Sequence, residues 1–245
     1  TTRFGRLVLK AGLALTDAVA VRDVLSSAFL DKIGVRHVVA ADAAFGASFV
    51  DVAAPDKPAS DACLRVGVAL RDSRFFLSRK PEDYECKVAQ ALDCLISRYN
   101  AEVVFVCLMK PQSGVDDYAT AKSVIQKMRN RGNVKVVADL ETPLELRNLF
   151  LSFDVLVGVP LHSLIFAAIS QTPFVAVSYH PKVDGYLQSI CYSSDYIICG
   201  DCLTSEGLVA KVEAALSRRD LIKQQLNRIS LDLKRKASLN IKVTR

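Results

Sequence analysis

From residue 64 onward, apolar residues gather in short runs separated by stretches of helical period. The runs cover 64–70, 103–108, 134–138, 155–159, 174–177 and 196–198. Each is apolar at consecutive rather than alternate positions, as in strands covered on both faces. Helical patterns fall between them, at 84–99, 118–131, 143–152 and 160–170. Such alternation predicts right-handed crossovers and an α/β fold built on a doubly wound, Rossmann-like parallel sheet.

Two helix starts are specified locally. Thr142-Pro143-Leu144-Glu145 offers a capping hydroxyl, a proline at the first helical position and a glutamate three residues after the cap. Pro160-Leu161-His162 follows an apolar run directly, so Pro160 is expected to open a helix with His162 in its first turn.

The first 63 residues follow another rhythm. A helix near 5–15, a short strand at 18–21, a helix at 23–33 and a strand at 37–40 are expected. Two strands cannot make a stable sheet alone. Residues 1–63 are therefore read as an incomplete α/β segment, the remnant of an N-terminal domain, ending in a proline-containing linker at 51–61. Residues 64–218 form the Rossmann-like domain, and 219–245 a basic C-terminal helix and tail. Two helices broken around 217–220 are expected over 206–238. The chain begins with Thr1 rather than Met, and upstream sequence is expected to be missing.

Composition adds little to the fold but narrows the function. With 51% hydrophobic and 24% charged residues, the chain can bury a core. No apolar run reaches the roughly 18 residues of a membrane span, and no signal-peptide pattern opens it. The net charge of +6 concentrates in the tail. It reads as a solvated helical face or as attraction to an anionic surface such as lipid head groups. Basic residues are not interleaved with aromatics, so nucleic acid is not an expected partner. Seven cysteines, most inside apolar segments such as Cys63, Cys94 and Cys107, fit a reducing compartment, and the cytoplasm is the default.

Ligands of open parallel sheets bind beyond the carboxyl ends of the strands. The residues expected there are Arg71, Lys110, Asp139, His162, then His180 with Lys182, then Cys199-Gly200-Asp201-Cys202. Bases outnumber acids on this rim, so an anion is the expected ligand. His162 is the leading candidate, because a helix N-terminus presents free N–H groups to a phosphate or carboxylate. The alternative is a partly buried histidine bonded to a neighbouring carbonyl. Cys199 and Cys202 have redox or zinc spacing, but they continue an apolar strand, and packing is the preferred reading. No metal is expected.

The stretch Asp154-Val-Leu-Val-Gly-Val-Pro-Leu-His162-Ser-Leu-Ile-Phe-Ala-Ala168, followed by Pro173-Phe-Val-Ala-Val-Ser-Tyr-His-Pro-Lys182-Val-Asp-Gly185, resembles the signature of the polysaccharide pyruvyltransferases. That family's usual form is a strand ending in Gly-Met-Arg-Leu-His, a small-residue helix, and a strand ending in Tyr-Asp-Pro-Lys-Val. Upstream, Val19-Ala-Val-Arg22-Asp23-Val-Leu-Ser26 and Ala41-Asp42-Ala-Ala-Phe45 resemble two further family elements in the same order. The resemblance implies a C-terminal domain of the two-Rossmann-domain (GT-B) type. It also implies transfer of pyruvyl from phosphoenolpyruvate to two hydroxyls of a cell-envelope or exopolysaccharide sugar, forming a cyclic ketal. The partners implied are phosphoenolpyruvate and a sugar acceptor, lipid-linked or free. No cofactor is required, and the chemistry would be cytoplasmic, with peripheral contact at the inner membrane face.

By matching position, Arg22 and Lys182 would bind the donor's anionic groups, and His162 would contact phosphate or move a proton. Arg71 and His180 are weaker substrate-binding candidates. Arg22 could instead pair with Asp23 or Asp17, and Lys182 could simply be solvated. The sequence departs from the family pattern at Pro160, where arginine is usual, and at His180, where aspartate is usual. The family's N-terminal strand, Gly-rich turn and Gly-Asp-Glu-like element are missing, so the chain reads as a fragment or as a natural form that lost activity. Two other functions stay open: a nucleotide-sugar glycosyltransferase gripping ribose through Asp184 or Asp201, and a non-catalytic relative binding an anionic ligand.

Overall fold

The computed structural model describes residues 2–47, 63–72, 81–109 and 116–243. The expected linker at 51–61 and Lys110 lie outside the described residues. At the N-terminal end, helix α1 (Arg3–Leu13) precedes strand β1 (Ala20–Val21), helix α2 (Val24–Lys32) and strand β2 (Val38–Val39). The strands pair in parallel, Ala20 beside Val38 and Val21 beside Val39. Asp23 caps α2 by accepting from the Ser26 N–H at 2.7 Å. A short 3-10 turn, Ala43–Gly46, follows, capped by Asp42.

The six apolar runs become β3 (Arg65–Ala69), β4 (Glu102–Val106), β5 (Val134–Val137), β6 (Val155–Gly158), β7 (Phe174–Ser178) and β8 (Ile197–Cys199). All pair in parallel, in the order β5-β4-β3-β6-β7-β8. The chain therefore winds outward from β3 in one direction, then returns and winds outward from β6 in the other. This is a doubly wound Rossmann-like sheet, and its strand order reverses between β3 and β6.

The helices between strands are α3 (Pro81–Tyr99), α4 (Asp117–Lys127), α5 (Pro143–Leu151), α6 (Leu161–Ile169) and α7 (Pro181–Ser189). Helices α8 (Ser205–Ser217) and α9 (Arg219–Val243) complete the chain. Helices α3, α4 and α8 pack together, while α6 packs with α5, α7 and α9, so the sheet is covered on both faces. Central strands β6 and β7 are wholly buried, which is why their sequences do not alternate. Edge strand β5 is half-exposed, and its Lys135 pairs with Glu102. A charged edge of this kind discourages further strand pairing.

Helix α5 carries the expected capping box, with Thr142 and Glu145 each accepting from the other's backbone N–H. Helix α7 was not anticipated from sequence. Its cap is His180, whose Nδ1 accepts from the Lys182 N–H at 3.1 Å, and Pro181 holds the first helical position.

The long helix α9 brings the chain's end back to its beginning. Arg219 pairs with Asp154 at 3.2 Å near the helix start. Beyond α6, α9 reaches the 3-10 turn, where Asn240 Nδ2 donates to the Ala41 carbonyl at 3.0 Å. On the other side, Leu25 of α2 packs so closely on α7 that a Cβ at Gly185 would lie 2.9 Å from its Cδ1. These contacts place the N-terminal segment over the α6–α7 side of the sheet.

Candidate functional site

A crevice opens where the N-terminal segment meets α6, α7 and α9. Arg22, Asp23, Asp42 and Phe45 contribute from one side, Leu161, Ile165, Lys182 and Tyr186 from the other, and Leu233 from α9. It thus brings Arg22 and Lys182, 160 positions apart in sequence, into one wall system. Its volume is about 20 Å³, room for about one water. The crevice is closed to a larger ligand in this state.

Two cations and two carboxylates share the lining. Arg22 Nη1 pairs with Asp42 Oδ2 at 2.5 Å, and not with Asp17 or Asp23. The pair is monodentate, and the Arg22 side chain remains 40% exposed, so other guanidinium N–H groups can meet an incoming anion. Asp42 Oδ1 is taken by the Ala44 N–H. Both Asp23 oxygens are taken by Ser26, through its N–H and its hydroxyl. Lys182 is exposed in the first turn of α7. Its backbone N–H is capped by His180, and its side chain joins the lining at a helix N-terminus, an end that favours an anion.

His162 occupies the second position of α6 and is exposed. Leu161 and Ile165, four apart, face the crevice together, while His162 is turned by about 100° along the helix. It stands on the helix that forms the wall, outside the wall itself. The alternative of a partly buried histidine does not describe it.

The other two candidates sit elsewhere. His180 serves as the α7 cap, so its Nδ1 lone pair is committed and only Nε2 faces solvent chemistry. Arg71 lies just past β3, in register with the Pro160 turn past β6, at the point where strand order reverses. Its Nε is buried with no hydrogen-bond partner. The guanidinium's charge favours the ionised forms of Asp117 and Tyr179, and Arg71 is not among the residues lining the crevice. Burial raises the Asp117 carboxyl above its ordinary range, opposed by the Met109 N–H and by Arg71. The structure therefore joins Arg22 with Lys182, sets His162 at their margin, and leaves Arg71 and His180 outside.

Cys199 and Cys202 are both exposed and unbridged, so the expectation that they pack in the interior is corrected. Strand β8 is the sheet's edge, and its end meets solvent. Cys107 is buried, whereas Cys63 and Cys94 are half-buried. Asp184, a candidate ribose grip, is bonded instead to the Ser178 hydroxyl. Among the described residues no helix is long and apolar enough to cross a membrane.

Sequence reasoning missed Tyr186 and Asp42 as crevice residues. Asp42 was visible only as part of a motif, and Tyr186 only as an apolar position of an unanticipated helix.

A family model described as polysaccharide pyruvyl transferase matches residues 2–181. No curated protein matches the chain significantly. Several solved structures share its fold. An α,α-trehalose-phosphate synthase (UDP-forming) from Burkholderia xenovorans aligns at 10% identity with TM-score 0.61, over 94% of this chain and 60% of that one. UDP-GlcNAc 2-epimerase from Methanocaldococcus jannaschii aligns at 12% identity with TM-score 0.57, over 82% and 54%. Sucrose-phosphate synthase from Thermosynechococcus elongatus aligns at 16% identity with TM-score 0.55, over 98% and 60%. At these identities the likeness concerns the fold, of the GT-B type. The chain spans 60% or less of each of these proteins.

Proposed function

The chain belongs to the polysaccharide pyruvyl transferase family, and from that premise we propose that its crevice is the donor site of a ketal-forming pyruvyl transfer from phosphoenolpyruvate. The observation that carries the reading is the convergence of Arg22 and Lys182 on one crevice beside the N-terminus of α7. Phosphoenolpyruvate carries a phosphate and a carboxylate, and two cations of independent origin suit two anionic groups.

The reaction requires a proton on the methylene carbon of the donor, which makes the neighbouring carbon electrophilic. One sugar hydroxyl adds there, a second displaces phosphate, and the two hydroxyl protons leave with base and phosphate. Arg22 and Lys182 hold the donor's anionic groups, in the bound donor and as its phosphate departs alike. His162, exposed at the crevice margin on α6, is assigned the proton transfer, a role that requires the crevice to widen on the α6 side until the donor's methylene carbon comes within its reach. The acceptor is a sugar with two suitably placed hydroxyls.

Donor entry requires the crevice to widen beyond its present 20 Å³. The Arg22–Asp42 ion pair borders that space, with Arg22 40% and Asp42 13% exposed, and is expected to rearrange as the donor enters.

The test is phosphate release from phosphoenolpyruvate in the presence of a sugar acceptor. Lys182→Ala should raise the KM for phosphoenolpyruvate by about 10- to 100-fold, as expected for losing a charge-assisted contact, with kcat changed less. Unaltered KM in that variant, or thermal protection by a uridine nucleotide with none by phosphoenolpyruvate, would contradict the reading.

A further inference from the structure

Two buried tyrosines of the α7 side differ in one respect. Tyr192 satisfies its hydroxyl completely, accepting from the Phe174 N–H at 3.2 Å and donating to the Phe174 carbonyl at 2.7 Å. Tyr186 is as well buried, 8% exposed, yet its hydroxyl has no hydrogen-bond partner. Its ring belongs to the core, and its side chain lines the crevice with Arg22, Asp42 and Lys182. Ser189, the other hydroxyl of this lining, is already committed to the Tyr186 carbonyl.

A buried hydroxyl without a partner destabilises the free fold, because its bonds to water are lost and nothing replaces them. Phenylalanine would fill the same space without that cost. The hydroxyl therefore marks a position where a partner arrives from outside the chain. Burial, with the charge of Asp42 adding, holds the phenol far above the ordinary tyrosine range. It stays neutral and able to donate, without adding charge to a lining that already balances two cations against two carboxylates.

We propose that Tyr186 is a further ligand-binding residue of this crevice, its phenolic hydroxyl donating a hydrogen bond to an oxyanion of the phosphorylated donor held by Arg22 and Lys182. The proposal rests on the crevice being the donor site. It assigns Tyr186 a role in donor affinity: a neutral donor beside two cations fixes the orientation of an oxyanion that charge alone would hold loosely.

The experiment is calorimetric titration of the full chain with phosphoenolpyruvate, alongside Tyr186→Phe and Lys182→Ala, with melting temperatures of the ligand-free proteins. Inorganic phosphate and pyruvate as separate probes identify which donor group the phenol meets. Tyr186→Phe is expected to bind phosphoenolpyruvate about 10-fold more weakly or worse, while melting at the wild-type temperature or above it. Wild-type affinity in Tyr186→Phe together with weakened binding in Lys182→Ala would overturn the role of Tyr186 and leave the donor site standing. A lowered melting temperature in ligand-free Tyr186→Phe would show an internal partner for the hydroxyl and would also overturn it. Absence of binding by the wild-type chain would remove both the donor site and this inference.

Discussion

Replacing His162 with alanine is expected to slow phosphate release from phosphoenolpyruvate by about 10²- to 10⁴-fold, the usual contribution of a positioned proton-transfer group. Donor affinity and melting temperature should stay near the wild-type values. The separation follows from geometry. His162 is exposed, so its removal takes little from the core. It does not line the crevice, whose α6 wall is made by Leu161 and Ile165. In the widened crevice it meets the donor at the margin, away from the oxyanions on Arg22 and Lys182, so its contribution is expected in kcat. Single-turnover phosphate release combined with calorimetry checks both halves. Wild-type turnover would remove His162 from the mechanism, and an equal loss of affinity would make it a donor-binding group instead.

The largest effect on stability is expected from Phe153→Ala, about 3–5 kcal/mol. Phe153 is 2% exposed. Its ring lies against Gly67 of β3: a Cβ there would come within 2.4 Å of Phe153 Cδ2 and 3.0 Å of Leu156 Cδ1. Phe150 also packs on it, ring centroids 5.7 Å apart. Glycine on β3 and phenylalanine before β6 therefore form one packing unit at the strand pair where the order reverses. Removing the ring leaves a void that paired strands, held in register at Gly67 and Leu156, cannot close. Gly67→Ala alone overpacks the same place, costing about 1–3 kcal/mol. Together the two changes should destabilise by less than their sum, because the new methyl enters the space the ring has left. Denaturant unfolding of the two single variants and the double variant measures this.

The sheet was legible because its strands carry their burial in consecutive apolar positions. Runs such as Val155–Gly158 have no polar face to confuse with a helix. Helix α7 was hidden by its start: histidine is not among the residues that usually cap helices, and Gly185 sits within the pattern. That glycine answers to Leu25, about 160 residues earlier in the chain, a contact no local pattern announces.

The site was legible in part, for the same reason. The first-turn position of His162 follows from the strand and proline before it, but the direction it faces depends on how α6 is rotated against α9 and the N-terminal segment. Arg22 has acidic neighbours in sequence, yet pairs with Asp42 because the parallel β1–β2 strands bring their two ends together. Tyr186 shows in the sequence only as an apolar position, with nothing to mark its hydroxyl. Its hydroxyl gains meaning only from the crevice around it.

A crystal structure with phosphoenolpyruvate bound addresses the donor site most directly. Density for the ligand is expected in a widened crevice, its oxyanions on Arg22 and Lys182 and the Arg22–Asp42 pair opened. Density instead beside Arg71, beyond the ends of β3 and β6 and clear of both residues, would contradict that placement.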